Sequence, residues 1–330
     1  VRTFALSPAV RGRVPLLLGI VGSSSSGKTF SALRLATGIQ RVVGGDIAFI
    51  DTESNRGLHY ADRFKFSHLP LAAPFGPLDY LAAIEHCVAA GAKTLVIDSM
   101  THEHSGDGGV MDQSERWLDE KCGNDWKARE RMQMLSWVRP KQQRKKLNNA
   151  IVQLGINAVL CYRADEKIKP VKGGEPLKLG WQPETTSKLH YDMIQRFLLT
   201  PGCDGVPSLI PETDAEKLLV KNPAQFRDFF KSGQPLSEDL GEQLARWASG
   251  SMPASELLAG YAACNDRESF ERLEAGRKQV WASVKADVKS KLKTASDAAA
   301  TRLSELTAAA PQTTLIPGVD EDAATGAMKH

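Results

Sequence analysis

Residues 22–29 read GSSSSGKT, set between the apolar run VPLLLGIV and the helical-looking FSALRLATGIQ. Gly22 and Gly27 bracket four serines and are followed at once by Lys28 and Thr29, the G-x-x-x-x-G-K-[ST] spacing of a phosphate-binding loop. A tight loop of this length turns successive backbone N–H groups toward one point. The helix starting on it adds the positive end of its dipole. Gly22, Ser23, Ser24, Ser25, Ser26, Gly27, Lys28, Thr29 and Phe30 are therefore the expected nucleotide-contacting stretch. Lys28 would supply a point charge to the β- and γ-phosphates, and the Thr29 hydroxyl would ligate Mg²⁺.

The surrounding pattern alternates strand and helix. A strand over about 14–21 precedes the loop and a helix over about 28–41 follows it. GGDIAFIDTE, SHLPLAAPF, KTLVIDSM and NAVLCYR read as further strands, and LDYLAAIEHCVAAGA as a helix ending on Gly91. Residues 101–124 and 164–188 read as two long loops, and 125–153 as a basic helical region interrupted by Pro140. DMIQRFLLTP and AEKLLVKN read as two more strands, antiparallel neighbours. Such alternation predicts a mostly parallel sheet covered on both faces, with ligands at the carboxyl ends of the strands. The expected fold is α/β, with a phosphate-loop core over residues 14–235, an N-terminal arm over 1–13, a helical region over 236–306 and a disordered tail over 307–330.

NTP hydrolysis needs more than a phosphate loop: a carboxylate to anchor Mg²⁺ and a group to orient or deprotonate water. TLVIDSM supplies the anchor as Asp98. The Glu that follows this Asp in AAA+ ATPases is Ser99 here, so the water-activating carboxylate must lie elsewhere. IAFIDTE offers Asp51 and Glu53, two residues apart and co-facial on an extended strand. Glu53, the outer one, is the expected catalytic base. No N-K-x-D stretch follows Asp98, which disfavours guanine nucleotides.

AFIDTE after the loop, LVIDS as the magnesium strand and a long polar loop after the next strand resemble the RecA-fold recombinases. They are most similar to the small phage-encoded RecA-like ATPases (the Sak-four group, described as phage nucleotide-binding AAA-domain proteins). The resemblance spans roughly residues 14–230. It implies a RecA-like P-loop NTPase core using ATP and Mg²⁺, with Lys28, Thr29 and Asp98 binding nucleotide and metal and Glu53 as base. Arg163 stands where RecA-like proteins place a polar γ-phosphate sensor, commonly Gln; it would contact phosphate, or else pair with Asp165 or Glu166. LLVKNPAQF resembles the RecA segment that reaches the neighbouring subunit's nucleotide, which makes Lys221 a trans-acting cation. RecA-like proteins often use N-terminal arms to assemble. Residues 1–13 would be a latch with Phe4 docking on the neighbouring core, or else Phe4 packs on its own subunit or is disordered. A homo-oligomer (filament or ring) is expected.

Charge bears on the partner. The chain carries a net +3 overall, yet residues 139–178 alone hold ten Lys/Arg against three acids, a local net of +7. In the second loop Lys167, Lys169, Lys172 and Lys178 would contact phosphates around a Gly173–Gly174 hinge. Trp181 would serve as a stacking platform or as a core anchor. The first loop is the less persuasive of the two for DNA, since Asp107, Asp112, Glu115, Asp119 and Glu120 would repel phosphate. His102, Glu103 and His104, with Cys122, fit no common zinc spacing. Single-stranded DNA is the expected partner, with a single-strand-binding or annealing protein as a further candidate. The function expected is DNA-stimulated ATP hydrolysis in phage-type homologous recombination or strand annealing. The rival readings are another P-loop DNA motor (helicase or packaging type) and a nucleotide-gated interaction protein. Five scattered cysteines, a mean hydropathy of −0.28 and the lack of a signal-peptide core predict reduced thiols, no membrane partner and a cytoplasmic protein, in the host cytoplasm if phage-encoded.

Overall fold

The computed structural model describes residues 14–169, 177–185, 189–250, 254–281, 284 and 286–308. The N-terminal arm with Phe4, the Gly173–Gly174 hinge, Lys172 and residues 309–330 lie outside them. The described chain forms two compact units, divided after Gly250.

In the first unit the sheet order is β3 (Ser67–Pro70), β2 (Asp46–Asp51), β4 (Ala92–Asp98), β5 (Asn157–Lys169), β1 (Leu17–Gly22), β7 (Gln195–Leu199). All of these neighbours run parallel. The strands are near-continuous apolar runs because both faces are covered. Side-chain alternation splits them between two cores. Leu18, Ile20, Ile47, Phe49 and Val96 face α1 (Lys28–Val43) and α8 (Glu238–Ala248). Val21, Ala48, Ile50, Leu95 and Ile97 face α2 (Pro77–Ala89) and α6 (Val138–Val152).

The sequence places the end of the core at 235, whereas α8 belongs to it. The helices cross with their backbones nearly touching. A Cβ on Gly38 would lie 1.9 Å from Glu238 O, and one on Gly241 would lie 2.2 Å from Leu35 O. Arg34 adds an ion pair to Glu238 at 2.7 Å. Composition alone cannot show such a contact, because α8 is as rich in Glu and Ala as the helices that follow it.

Three further expectations are corrected. Residues 101–124 are a short helix α3 (His102–Ser105) and an amphipathic α4 (Val110–Cys122), not a loop. Their glycines cap helix ends, Gly109 standing at the start of α4. Residues 164–169 and 177–183 are an antiparallel ribbon rather than a loop, the outer half of β5 pairing with β6 (Leu177–Pro183). AEKLLVKN forms a 3-10 turn and a single bridge, Lys221 to Arg196, rather than a strand. The basic region divides into α5 (Trp126–Ser136) and α6, with Pro140 in the first turn of α6 where its missing N–H costs nothing.

The second unit holds α9 (Ala254–Ala263), α10 (Arg267–Val280) and α11 (Ala286–Ala308). They close on Leu257, Tyr261, Leu273 and Leu292. Glu274 accepts hydrogen bonds from Arg277, Ser296 and Tyr261, and these hold its carboxyl down to about 2 against the penalty of burial. Among the described residues no helix is long and apolar enough to cross a membrane.

Candidate nucleotide site

The strand register brings the expected residues to one end of the sheet. Gly22 lies opposite Arg163, and Asp51 opposite Asp98. Between β1 and α1 the loop turns back on itself, with Ser25 and Gly27 at positive φ. Gly27, at φ 83°, is the residue before α1, a conformation glycine adopts without cost. Gly22 is required for another reason: a Cβ there would lie 2.1 Å from Leu199 O. No side chain caps the start of α1 and its first turn holds no acid, so its orphan N–H groups are left for an anion. Ser23 Oγ is buried in the loop without a partner among the described residues.

Lys28 is buried at the mouth of this cradle. Its Nζ donates to Gly22 O at 3.1 Å and to Ser23 O at 2.5 Å. Burial lowers its pKa, while Asp98 and Glu53 pull it back up. Thr29 Oγ1 donates to Asp98 Oδ2. Burial raises Asp98 to about 6, with Thr29 and Lys28 acting against that rise and Glu53 and Asp51 adding to it. A buried carboxylate and a hydroxyl in contact, both hard oxygen donors, suit a small divalent cation such as Mg²⁺.

Asp51 and Glu53 do not act as a pair. Strand β2 ends at Asp51, and its carboxylate is consumed by structure: it accepts from Glu53 N at 2.7 Å and Gly57 N at 2.8 Å, and meets His68 Nε2 at 3.1 Å. That clamp turns Glu53 outward. There Glu53 forms a two-point ion pair with Arg163, Nε to Oε1 at 3.0 Å and Nη2 to Oε2 at 2.5 Å. The pairing with Asp165 or Glu166 considered from sequence gives way to this partner 110 residues away. Arg163 is itself held by Thr101 Oγ1, which accepts from its backbone N at 2.8 Å. Thr52 links the same elements, its Oγ1 meeting Ser99 N and His102 Nδ1.

Sequence reasoning missed a cleft of about 330 Å³ that opens from the loop between Phe30, Arg34, Gly202, Cys203 and Leu236. The Phe30 ring packs edge-on against Phe64 with centroids 5.4 Å apart and lies beneath the Arg63 guanidinium at 4.7 Å. The half-buried Cys203 places Sγ 3.8 Å from Ser26 O. The signal lay in PGCDG, a turn whose two glycines both take positive φ.

The remaining expected residues lie elsewhere. Lys221 sits toward the amino-terminal ends of β1 and β7, its Nζ donating to Tyr191 O and Met193 O, away from the phosphate loop of its own chain. Lys167 and Lys169 are exposed on the ribbon, and Lys178 pairs in register with Ile168. The Trp181 side chain packs against the second core, so it anchors the ribbon rather than offering a free ring. Gly180 at φ 78° and the Trp181 N–H, which donates to Glu216 Oε1 at 3.3 Å, complete that anchor. His102, Glu103 and His104 do not converge on a metal position; among the described residues no group of three or more His, Cys, Asp or Glu is placed to hold a metal ion. Glu103 and His104 instead receive the buried Arg144 guanidinium, which donates to Glu103 at 2.8 and 2.7 Å and to His104 Nδ1 at 3.0 Å. Burial and the arginine push His104 down to about 4, which keeps it neutral.

No family model matches the chain, and no curated protein matches it in sequence. Among solved structures it is similar to KaiC-like protein PH0186 from the hyperthermophilic archaeon Pyrococcus horikoshii OT3. The identity is 16% and the TM-score 0.31, over 56% of this chain and 70% of that one. Function is therefore read from the geometry of the site.

Proposed function

We propose that this chain is an ATPase of RecA type that binds single-stranded DNA and acts in phage-type homologous recombination or strand annealing. The observation that carries the ATPase reading is the meeting of the phosphate loop, the Thr29–Asp98 contact and the Glu53–Arg163 pair at one end of the sheet. Loop N–H groups and Lys28 would bind the β- and γ-phosphates. Thr29 and Asp98 would hold Mg²⁺, which when bound offsets charge on the phosphate oxygens. Arg163 would meet a terminal phosphate, which would compete with Glu53 for its guanidinium. A shift of Arg163 toward that phosphate would leave Glu53 beside the exposed Arg56, 3.6 Å away, with its carboxylate open to take a proton from the attacking water. The protein would then hold its base in check until the nucleotide is complete.

Two features support the DNA part. The ribbon bearing Lys167, Lys169 and Lys178 grows directly out of the strand that carries Arg163, so nucleotide and polyanion would act on one element. The surrounding segment is strongly basic. The decisive experiment is the ATPase rate with no DNA, with single-stranded DNA and with duplex DNA, on the wild type and Lys28→Ala. Single strands should stimulate the wild type, and Lys28→Ala should abolish turnover. Normal turnover in Lys28→Ala removes the loop as the active site. Turnover indifferent to DNA leaves a nucleotide-gated interaction protein.

A further inference from the structure

Helix α6, VRPKQQRKKLNNAIV, contains no Asp or Glu. One side of it is fixed inside the protein: Pro140, Arg144, Leu147 and Ile151 are buried, and Arg144 bolts the helix to α3 through Glu103 and His104. On the other side Lys141, Gln142, Lys145, Lys146 and Asn149 are exposed, a spacing that lines them along a single stripe, with Arg139 at its edge. Some exposed cations of the first unit find carboxylates, as Arg116 does with Asp107 and Lys217 with Asp214. Among the described residues isolated ones such as Lys65, Lys93 and Lys231 do not; α6 differs in gathering several on one face. Among the described residues Arg139, Lys141, Lys145 and Lys146 form no ion pair. Lys141 instead rests its Nζ 5.5 Å from the Trp137 ring.

We propose that this face of α6 binds the phosphate backbone of single-stranded DNA, as a surface distinct from the β5–β6 ribbon. Four cations without counter-charge, on a helix held rigidly by its buried side, form a fixed row of phosphate contacts. The interleaved amides add donors and acceptors for sugars and base edges. A lipid surface fits poorly: the exposed apolar side chains of α6 are Val138 and Val152, at opposite ends of the helix, which make no continuous stripe to enter a bilayer. An acidic protein partner would take a central apolar anchor, whereas the two exposed valines of α6 stand at opposite ends of the helix. The choice of single over double strand rests on the proposed function; the polyanion face itself does not.

The test is binding of a fluorescent oligothymidylate to the full chain across a salt series, without nucleotide. The triple variant Lys141→Ala, Lys145→Ala, Lys146→Ala is compared with the ribbon variant Lys167→Ala, Lys169→Ala. Lysine-to-alanine changes raise helix propensity, so α6 stays folded, and a thermal melt by circular dichroism verifies that. Losing three contacts should flatten the salt dependence by about 2 and weaken binding roughly ten- to hundredfold at about 0.1 M salt. The ribbon variant should retain the part of the slope that α6 provides. Unchanged affinity and slope in the α6 variant overturn the proposal. A duplex of equal length that binds more tightly than the single strand, and loses the same slope, overturns the choice of strand. Because no nucleotide is present, these readings stand even if Lys28→Ala shows the ATPase assignment to be wrong.

Discussion

Two arginine–glutamate pairs, built from the same chemical groups in the same two-point geometry, lie close to the end of β4 and do opposite things. Arg144 and Glu103 are sealed, with side chains 8% and 3% exposed, and His104 closes the remaining side. Arg163 and Glu53 stand open at the mouth of the phosphate loop, 36% and 14% exposed. Breaking the first leaves an uncompensated charge in a dry interior; breaking the second returns two charges to water. The sealed pair therefore suits a permanent joint between α3 and α6. The open pair suits exchange of one partner for an incoming anion. Geometry alone would not separate them, and solvent does.

The largest effect should come from the open pair, in rate rather than stability. Glu53→Gln should lower ATP turnover about 10²–10⁴-fold, since an amide cannot accept the water's proton. Its urea midpoint should move by less than about 1 kcal/mol equivalent, as for exposed pairs. Normal turnover in this variant would show that the base lies elsewhere. The sealed pair should behave in reverse. Arg144→Ala should cost about 3–5 kcal/mol in urea unfolding, the usual cost of orphaning one member of a buried pair. A loss as small as that of Arg163→Ala would erase the distinction drawn here.

A smaller effect concerns the carboxylate between the two pairs. Burial raises Asp98 to about 6, above its unfolded value of about 3.9. In the cation-free protein its contribution to stability is fully present below about pH 4 and is lost as pH rises through about 6. Mg²⁺ needs the deprotonated form, so its affinity should fall about tenfold per pH unit below about 6 and level off above. Calorimetric titration at several pH values measures this, and an affinity flat across that range would remove Asp98 from the metal site.

The phosphate loop was legible because its chemistry is local: eight consecutive residues fix both the turn and the helix start. The strands themselves were legible as continuous apolar runs, most of them ending in a polar group, whereas their order in the sheet was not. What stayed hidden was pairing at long range. Nothing in a single sequence links Arg163 to Glu53, or sends Asp51 into a backbone clamp while its neighbour two positions on faces the site. The helices at 102–122 were obscured by Gly106 and Gly109, which mark helix ends, and by Gly108 between them, a cluster that equally resembles a loop. The ribbon was obscured by Gly180, whose positive φ belongs to a bulged strand docked against Thr213 and Glu216. Trp181 could have stacked on a base or anchored the ribbon, and only packing distinguishes the two.

The half-buried Cys203 beside the loop gives the site a reporter of its own occupancy. Cys87, Cys161 and Cys264 are buried, which leaves Cys203 and Cys122 as the accessible thiols among the described residues. Cys203 lines the cleft that continues from the cradle, whereas Cys122 ends α4 beside Met132. A small alkylating reagent should therefore label both thiols in the empty protein. A nucleotide filling the cleft would shield Cys203 and leave Cys122 as the internal standard. Mass spectrometry of the two labelled peptides would then count occupied sites directly, without turnover and without DNA.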